Sequence, residues 1–82
     1  MLKVELVSPE KKVWSGEAVS VSARTLDGDL GILTGHTSLL GVLVDGKVKI
    51  EGTDGSTSEF NVSGGFLSVS NDRVSILAES TN

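Results

Sequence analysis

The sequence predicts an all-β protein, a flattened β-sandwich of about ten short, mostly antiparallel strands. Three observations carry that prediction. β-Branched residues are abundant, with eleven valines, three isoleucines and six threonines, while alanine occurs only at Ala18, Ala23 and Ala78. Branching at Cβ suits a pleated sheet and loses rotamer freedom in a helix. Apolar and polar residues alternate in six separate runs, the pattern of antiparallel strands with one buried and one wet face. Ten glycines interrupt the chain, and no glycine-free window of about eleven residues places apolar side chains at helical spacing.

The elements follow in order. Leu2, Val4 and Leu6 alternate with Lys3 and Glu5, which predicts a strand over 2–7. Shorter runs predict strands at 12–15, 17–25 and 28–33, the second with Val19, Val21 and Ala23 on one face and Ser20 and Ser22 on the other. The C-terminal half reads as a five-strand meander. Leu40–Val44 leads through Asp45-Gly46 into Lys47–Glu51, where Val48 and Ile50 alternate with lysines. Asp-Gly is a strong two-residue hairpin signal, because both turn positions need φ > 0. Asp54-Gly55 leads to the strand of Phe60 and Val62, and Asn71-Asp72 joins Phe66–Ser70 to Arg73–Ala78. Leu77 breaks the polar face of the last strand, and the tail 79–82 is expected to fray. So many short strands in 82 residues must close on themselves or stack as two sheets.

The chain's length and 8.5 kDa mass fit one domain, 1–82, with enough burial for one thin core. There is no cysteine, hence no disulfide or thiol chemistry, and one histidine, His36, excludes a multi-histidine metal site. The net charge of −4 argues against a nucleic-acid partner, which calls for a basic stripe. No run of about 18 apolar residues is available to insert into a membrane, and the N-terminus has no signal-peptide core, so the cytoplasm is the expected location.

Several motifs invite a function and lack its context. Gly41 to Lys47 matches the first seven positions of a phosphate-binding loop, yet Val48 stands where the Mg²⁺-holding hydroxyl belongs and no helix follows. Asn61-Val62-Ser63 fits a glycosylation sequon without a secretory signal. Asp27 and Asp29 share one turn but are too few to hold Ca²⁺. His36 has no nucleophile beside it and reads as a loop histidine. Trp14 reads as a core plug. Gly64-Gly65 reads as a sheet corner or as a backbone that something approaches closely. No cofactor site emerges. Two alternatives remain on these grounds: an adaptor that takes a peptide at a sheet edge, and a small hydrolase using His36 and Asp29.

Residues 28–39, Gly28-Asp29-Leu30-Gly31-Ile32-Leu33-Thr34-Gly35-His36-Thr37-Ser38-Leu39, resemble the epsilon subunit family of bacterial F-type ATP synthases, whose pattern there is G-E/D-L-G-I-x-P-G-H-x-P-L. Val7-Ser8-Pro9-Glu10, then Trp14-Ser15-Gly16, is similar to the family's opening, and Ser63-Gly64-Gly65-Phe66-Leu67-Ser68-Val69 to its SGGFLEV. Val74–Glu79 is similar to its closing strand. The resemblance implies a ten-stranded β-sandwich and a non-catalytic rotor subunit of the central stalk. Such a subunit links the gamma subunit to the c-ring and couples proton-driven rotation to ATP synthesis, peripherally on the cytoplasmic face of the bacterial inner membrane. By position, Asp29, Leu30, Gly31, Ile32 and His36 match the c-ring contact, and Ser8, Gly41, Ser63 and Gly64 match positions facing gamma. Thr34 and Ser38 replace two prolines of the pattern, which leaves this loop less rigid. The family's C-terminal helical domain has no counterpart in the sequence, so neither self-inhibition nor an ATP site is expected of these residues.

Overall fold

In the computed structural model, which describes residues 1–81, every regular element is a strand. There are eight: β1 (Leu2–Val7), β2 (Lys12–Thr25), β3 (Gly28–Leu33), β4 (Leu39–Leu43), β5 (Gly46–Gly52), β6 (Thr57–Val62), β7 (Gly65–Ser70) and β8 (Arg73–Ala78). The nine runs read one by one from the sequence, in an expected total of about ten, become eight because those predicted at 12–15 and 17–25 are one 14-residue strand. Gly16 does not break it. Ser15 and Gly16 keep their pairing with Glu5 and Val4, and the bare Gly16 accommodates the Trp14 ring, which a Cβ would approach to 3.3 Å.

This long strand joins the two layers. Its first half pairs with β1, and its second half pairs with β3 on one side and β5 on the other. Pairing runs β1-β8-β7-β4-β2-β5-β6, and the single Thr25–Leu43 pair closes the ring between β2 and β4. β1 and β8 are parallel; the other pairs are antiparallel. An irregularity between Ala18 and Ser20 shifts the side-chain phase of β2. Val19 therefore points outward at 38% exposure, contrary to the simple alternation, while Ala18, Val21 and Ala23 point inward.

The predicted meander is only partly right. β5–β6 and β7–β8 are hairpins, but β4 pairs with β7 and β5 with β2 and β6. Asp45-Gly46 is a crossover between layers, and neither residue has a positive φ. The two-residue turn with both central φ values positive is Asn71-Asp72, at 50° and 60°. Nor do residues 79–81 fray as expected; residue 82 of that tail lies outside the described residues. Glu79 N–H donates to Gly64 O, Ser63 N–H donates to Ser80 O, and Thr81 bridges Val62.

The core contains the alternating residues of both layers: Leu2, Val4 and Leu6; Ile32; Val48 and Ile50; Leu67 and Val69; Val74 and Ile76, each at most 3% exposed. Full burial of such a side chain contributes about 1.5–3 kcal/mol. Trp14 is half-buried and packs against the edge of this core.

Candidate functional interface

Alternation fixes which side chains leave the sandwich. On β4, Leu39, Gly41 and Leu43 face inward, so Leu40 and Val42 face out, 75% and 42% exposed. On β7 and β8 the same rule turns out Phe66 and Leu77, 53% and 50% exposed. Register aligns them. Val42 stands opposite Phe66, Phe66 opposite Leu77, and Leu77 beside half-buried Val7 of β1. The result is a row of four apolar side chains across four adjacent strands, about 14 Å long at ordinary strand spacing. Leu40 extends it along β4. The next ladder rung is Leu40–Ser68–Ser75–Glu5, and beyond it lie Ser70, Arg73 and Lys3. One end of this sheet face is therefore apolar and the other polar. Exposed apolar side chains gathered in this way are a candidate interaction surface.

The residues matched to gamma-facing positions cluster around that row. Ser8 follows Val7, its amide and hydroxyl closing a turn onto Lys11 O. Ser63 and Gly64 precede Gly65, the partner of both Leu43 and Ala78. The Ser63 hydroxyl bonds that of Ser80. Gly41 lies within the sheet, where a Cβ would face Thr25 Cγ2 inside, at 3.6 Å. Only its backbone is available to a partner; the outward contacts there belong to Leu40 and Val42. The large apolar residues were missed as site residues. Their signal was Leu77, the apolar residue in an expected polar row, but Phe66 and Val42 gain meaning only once register sets them beside it.

The residues matched to the c-ring contact are less unified. Asp29 sits at the start of β3, beside the β2–β3 tip, 3.6 Å from the Arg24 Nε with both side chains mostly exposed. Such a pair contributes about 0–1 kcal/mol. Gly31 is exposed, Leu30 packs against the core, and Ile32 is fully buried, so its side chain is not free to meet a partner. Among the described residues β3 pairs with β2 alone, which leaves its outer edge open along 28–33. His36 lies beyond the far end of the strand. Its Nδ1 bonds Thr37 O at 2.7 Å, and its loop is tied to the β7–β8 turn by Gly35 N–H donating to Asp72 Oδ1. Asp29 and Leu33 are already about 13 Å apart along β3. The fold does not bring His36 and Asp29 together, and a hydrolytic pair of these two has no geometry.

Other concave features are shallow. A groove of about 390 Å³ crosses β1, β2 and β8 on the polar face and is lined by Lys3, Glu5, Gly16, Arg73 and Ser75. Among the described residues no three His, Asp or Glu side chains converge on a point where a metal would sit.

Comparison with known proteins agrees with the fold. Residues 1–82 match the family model described as ATP synthase, Delta/Epsilon chain, beta-sandwich domain. The chain is 54% identical over 79 residues to the ATP synthase epsilon chain of Micrococcus luteus, covering 96% of this chain and 87% of that protein. It is 51% identical over 78 residues to the ATP synthase epsilon chain of Streptomyces avermitilis, of which it spans 63%. Among solved structures, a chain of the Euglena gracilis mitochondrial ATP synthase superposes with a TM-score of 0.92 at 24% identity, over 99% of this chain and 52% of that one. A chain of the Tetrahymena thermophila central stalk and c-ring superposes at 0.85 with 23% identity, over 99% and 65% respectively.

Proposed function

Because the chain belongs to the ATP synthase delta/epsilon family as its β-sandwich domain, a non-catalytic subunit of that complex, we propose that it works as a rotor component of the central stalk. In this reading it clamps the gamma subunit and rests on the c-ring, transmitting proton-driven rotation toward ATP synthesis at other subunits. It does so peripherally, at the cytoplasmic face of a bacterial plasma membrane. The observation that supports the reading best is the apolar row Val7–Leu77–Phe66–Val42 with Ser8, Ser63 and Gly64 around one end. Gamma covers this row, the aromatic and aliphatic side chains act as anchors, and the small residues at the rim admit close backbone approach. Asp29 and the open edge of β3 meet the c-ring.

The test is co-elution with purified gamma subunit in size-exclusion chromatography. A one-to-one peak is expected at micromolar concentration. Phe66→Ser with Leu77→Ser removes two central anchors, and a loss of about 2 kcal/mol weakens the dissociation constant about thirtyfold. Both side chains are half-exposed, so the variant keeps its fold by circular dichroism. Two separate peaks for the unaltered chain, or undiminished binding by the double variant, refute the assignment of this face.

A further inference from the structure

We propose that Asp27-Gly28, at the tip of the β2–β3 hairpin, is a site of spontaneous isoaspartate formation, singled out by the fold from three Asp-Gly pairs. The pairs are Asp27-Gly28, Asp45-Gly46 and Asp54-Gly55. Sequence treats them alike, since each offers a β-carboxyl and a following amide nitrogen without a neighbouring Cβ in the way.

The chemistry needs water alone. The Gly28 amide nitrogen attacks Asp27 Cγ; a carboxyl C–O bond breaks, and its oxygen leaves as water with the amide proton and the acid proton. The product is a five-membered imide. Water then adds to either carbonyl. Cleavage of the C–N bond at the side-chain carbonyl restores aspartate, and cleavage at the main-chain carbonyl leaves the chain running through the β-carboxyl. Nothing is oxidised or reduced, and the mass is unchanged at the end.

Attack requires a carboxyl free to rotate and a backbone free to follow, and the three pairs differ in both. Asp54 is held. Its Oδ1 accepts from Ser56 N–H at 3.0 Å and from the Ser56 hydroxyl at 2.6 Å, and the Gly55 nitrogen it would have to meet donates to Gly52 O at 3.2 Å. The same two Ser56 bonds keep its carboxyl below the ordinary carboxylate range, which depletes the neutral acid that reacts. Gly46 is confined differently. It opens β5 opposite Val62, and the space at its α-carbon is filled by Arg24 Cβ at 3.2 Å. Asp27 is exposed, and among the described residues no bond holds its carboxyl; its backbone N–H donates to Thr25 Oγ1 at 3.2 Å, and the same hydroxyl donates to the carbonyl of Gly28, which opens β3 opposite Thr25, at 3.0 Å. Gly28 has φ +113° and nothing within 4 Å of the place a Cβ would take. The extra methylene would enter the turn just before the Arg24–Asp29 rung, so its local effect is to displace that ion pair.

The test ages the purified 82-residue chain in mildly acidic buffer, folded and in denaturing urea. Isoaspartate is then quantified in peptides by enzymatic methylation of the isoaspartyl carboxyl. In urea the three pairs react at similar rates. In the folded chain position 27 leads position 54 by at least about tenfold, equivalent to about 1.4 kcal/mol in activation free energy. Asp27→Glu, whose longer side chain cannot close the five-membered ring, abolishes the leading product. Ser56→Ala removes the shorter of the two bonds to Asp54, leaving the one from the residue 56 N–H, and raises the Asp54 rate severalfold. Equal rates at the three folded sites, a lead at 45 or 54, protection of all three by folding, or no response to Ser56→Ala would overturn the proposal.

Discussion

Gly65→Ala tests how closely two backbones approach within the sheet. Gly65 opens β7 between Leu43 of β4 and Ala78 of β8, with φ at +123°. An alanine Cβ there would stand 2.0 Å from the Leu77 carbonyl oxygen and 2.9 Å from Ala78 Cα. Ordinary contact is about 3.5–4.0 Å, and both obstacles are backbone in a paired strand, with no side chain to swing aside. Two costs therefore add. The φ value alone is worth about 1–3 kcal/mol to a residue with a Cβ. Parting β7 from β8 to relieve the clash loses hydrogen bonds worth about 0.5–1.5 kcal/mol each. The total, about 4 kcal/mol, compares with about 4–12 kcal/mol for the whole domain, at 0.05–0.15 kcal/mol for each of 82 residues. Two other glycines separate the causes. Gly28 has a positive φ and open space, so Gly28→Ala bears the strain without the clash and lowers the melting temperature by about 10 °C. Gly31 has open space and no positive φ, so Gly31→Ala changes stability by less than about 1 kcal/mol. Thermal and urea unfolding followed by circular dichroism rank the three, with soluble yield recorded for Gly65→Ala. If Gly65→Ala is no less stable than Gly28→Ala, the close approach does not constrain the fold and the reasoning fails.

Other outcomes are open to measurement. Asp29→Arg places a second cation beside Arg24, yet both positions are exposed, so the domain loses under about 1 kcal/mol; in an assembled enzyme the reversed charge lowers proton pumping per ATP hydrolysed, and an unchanged ratio would mean that this tip does not meet the c-ring. The Asp54 carboxyl lies below its ordinary range, first because the Ser56 hydroxyl donates to it and then because the Ser56 N–H does. A carboxyl depressed in the folded state stabilises above its unfolded value, and that contribution is lost as pH falls through the folded value. The stability gap between the unaltered chain and Asp54→Ala is thus widest near neutrality and narrows below about pH 4; a gap that widens in acid would contradict it.

The fold class, most strand positions and most of the inward set can be read from local sequence pattern. Period-two alternation in Leu2–Leu6, Val48–Ile50 and Val74–Ala78 is a local property that follows directly from the geometry of an extended chain. The motif at 28–39 and the Ser63–Val69 stretch likewise carried the family, which the comparisons confirm over residues 1–82. Which strand pairs with which depends on contacts between distant segments. Asp45-Gly46 has the composition of a hairpin turn, yet β4 buries Leu43 against β2 and β7 while β5 buries Val48 and Ile50 beside β2, so the dipeptide spans two layers instead. Asn71-Asp72 takes the tight turn because its flanking strands do pair. Val19 and Ser20 were read one step out of phase, since an irregularity in the ladder leaves no mark on hydrophobic periodicity. The apolar row is the clearest case. Val7, Val42, Phe66 and Leu77 are scattered over 71 positions of sequence, each unremarkable alone, and only the cross-strand register makes them one surface. Alternation is encoded within each strand, whereas a surface built across strands exists only after they have chosen partners.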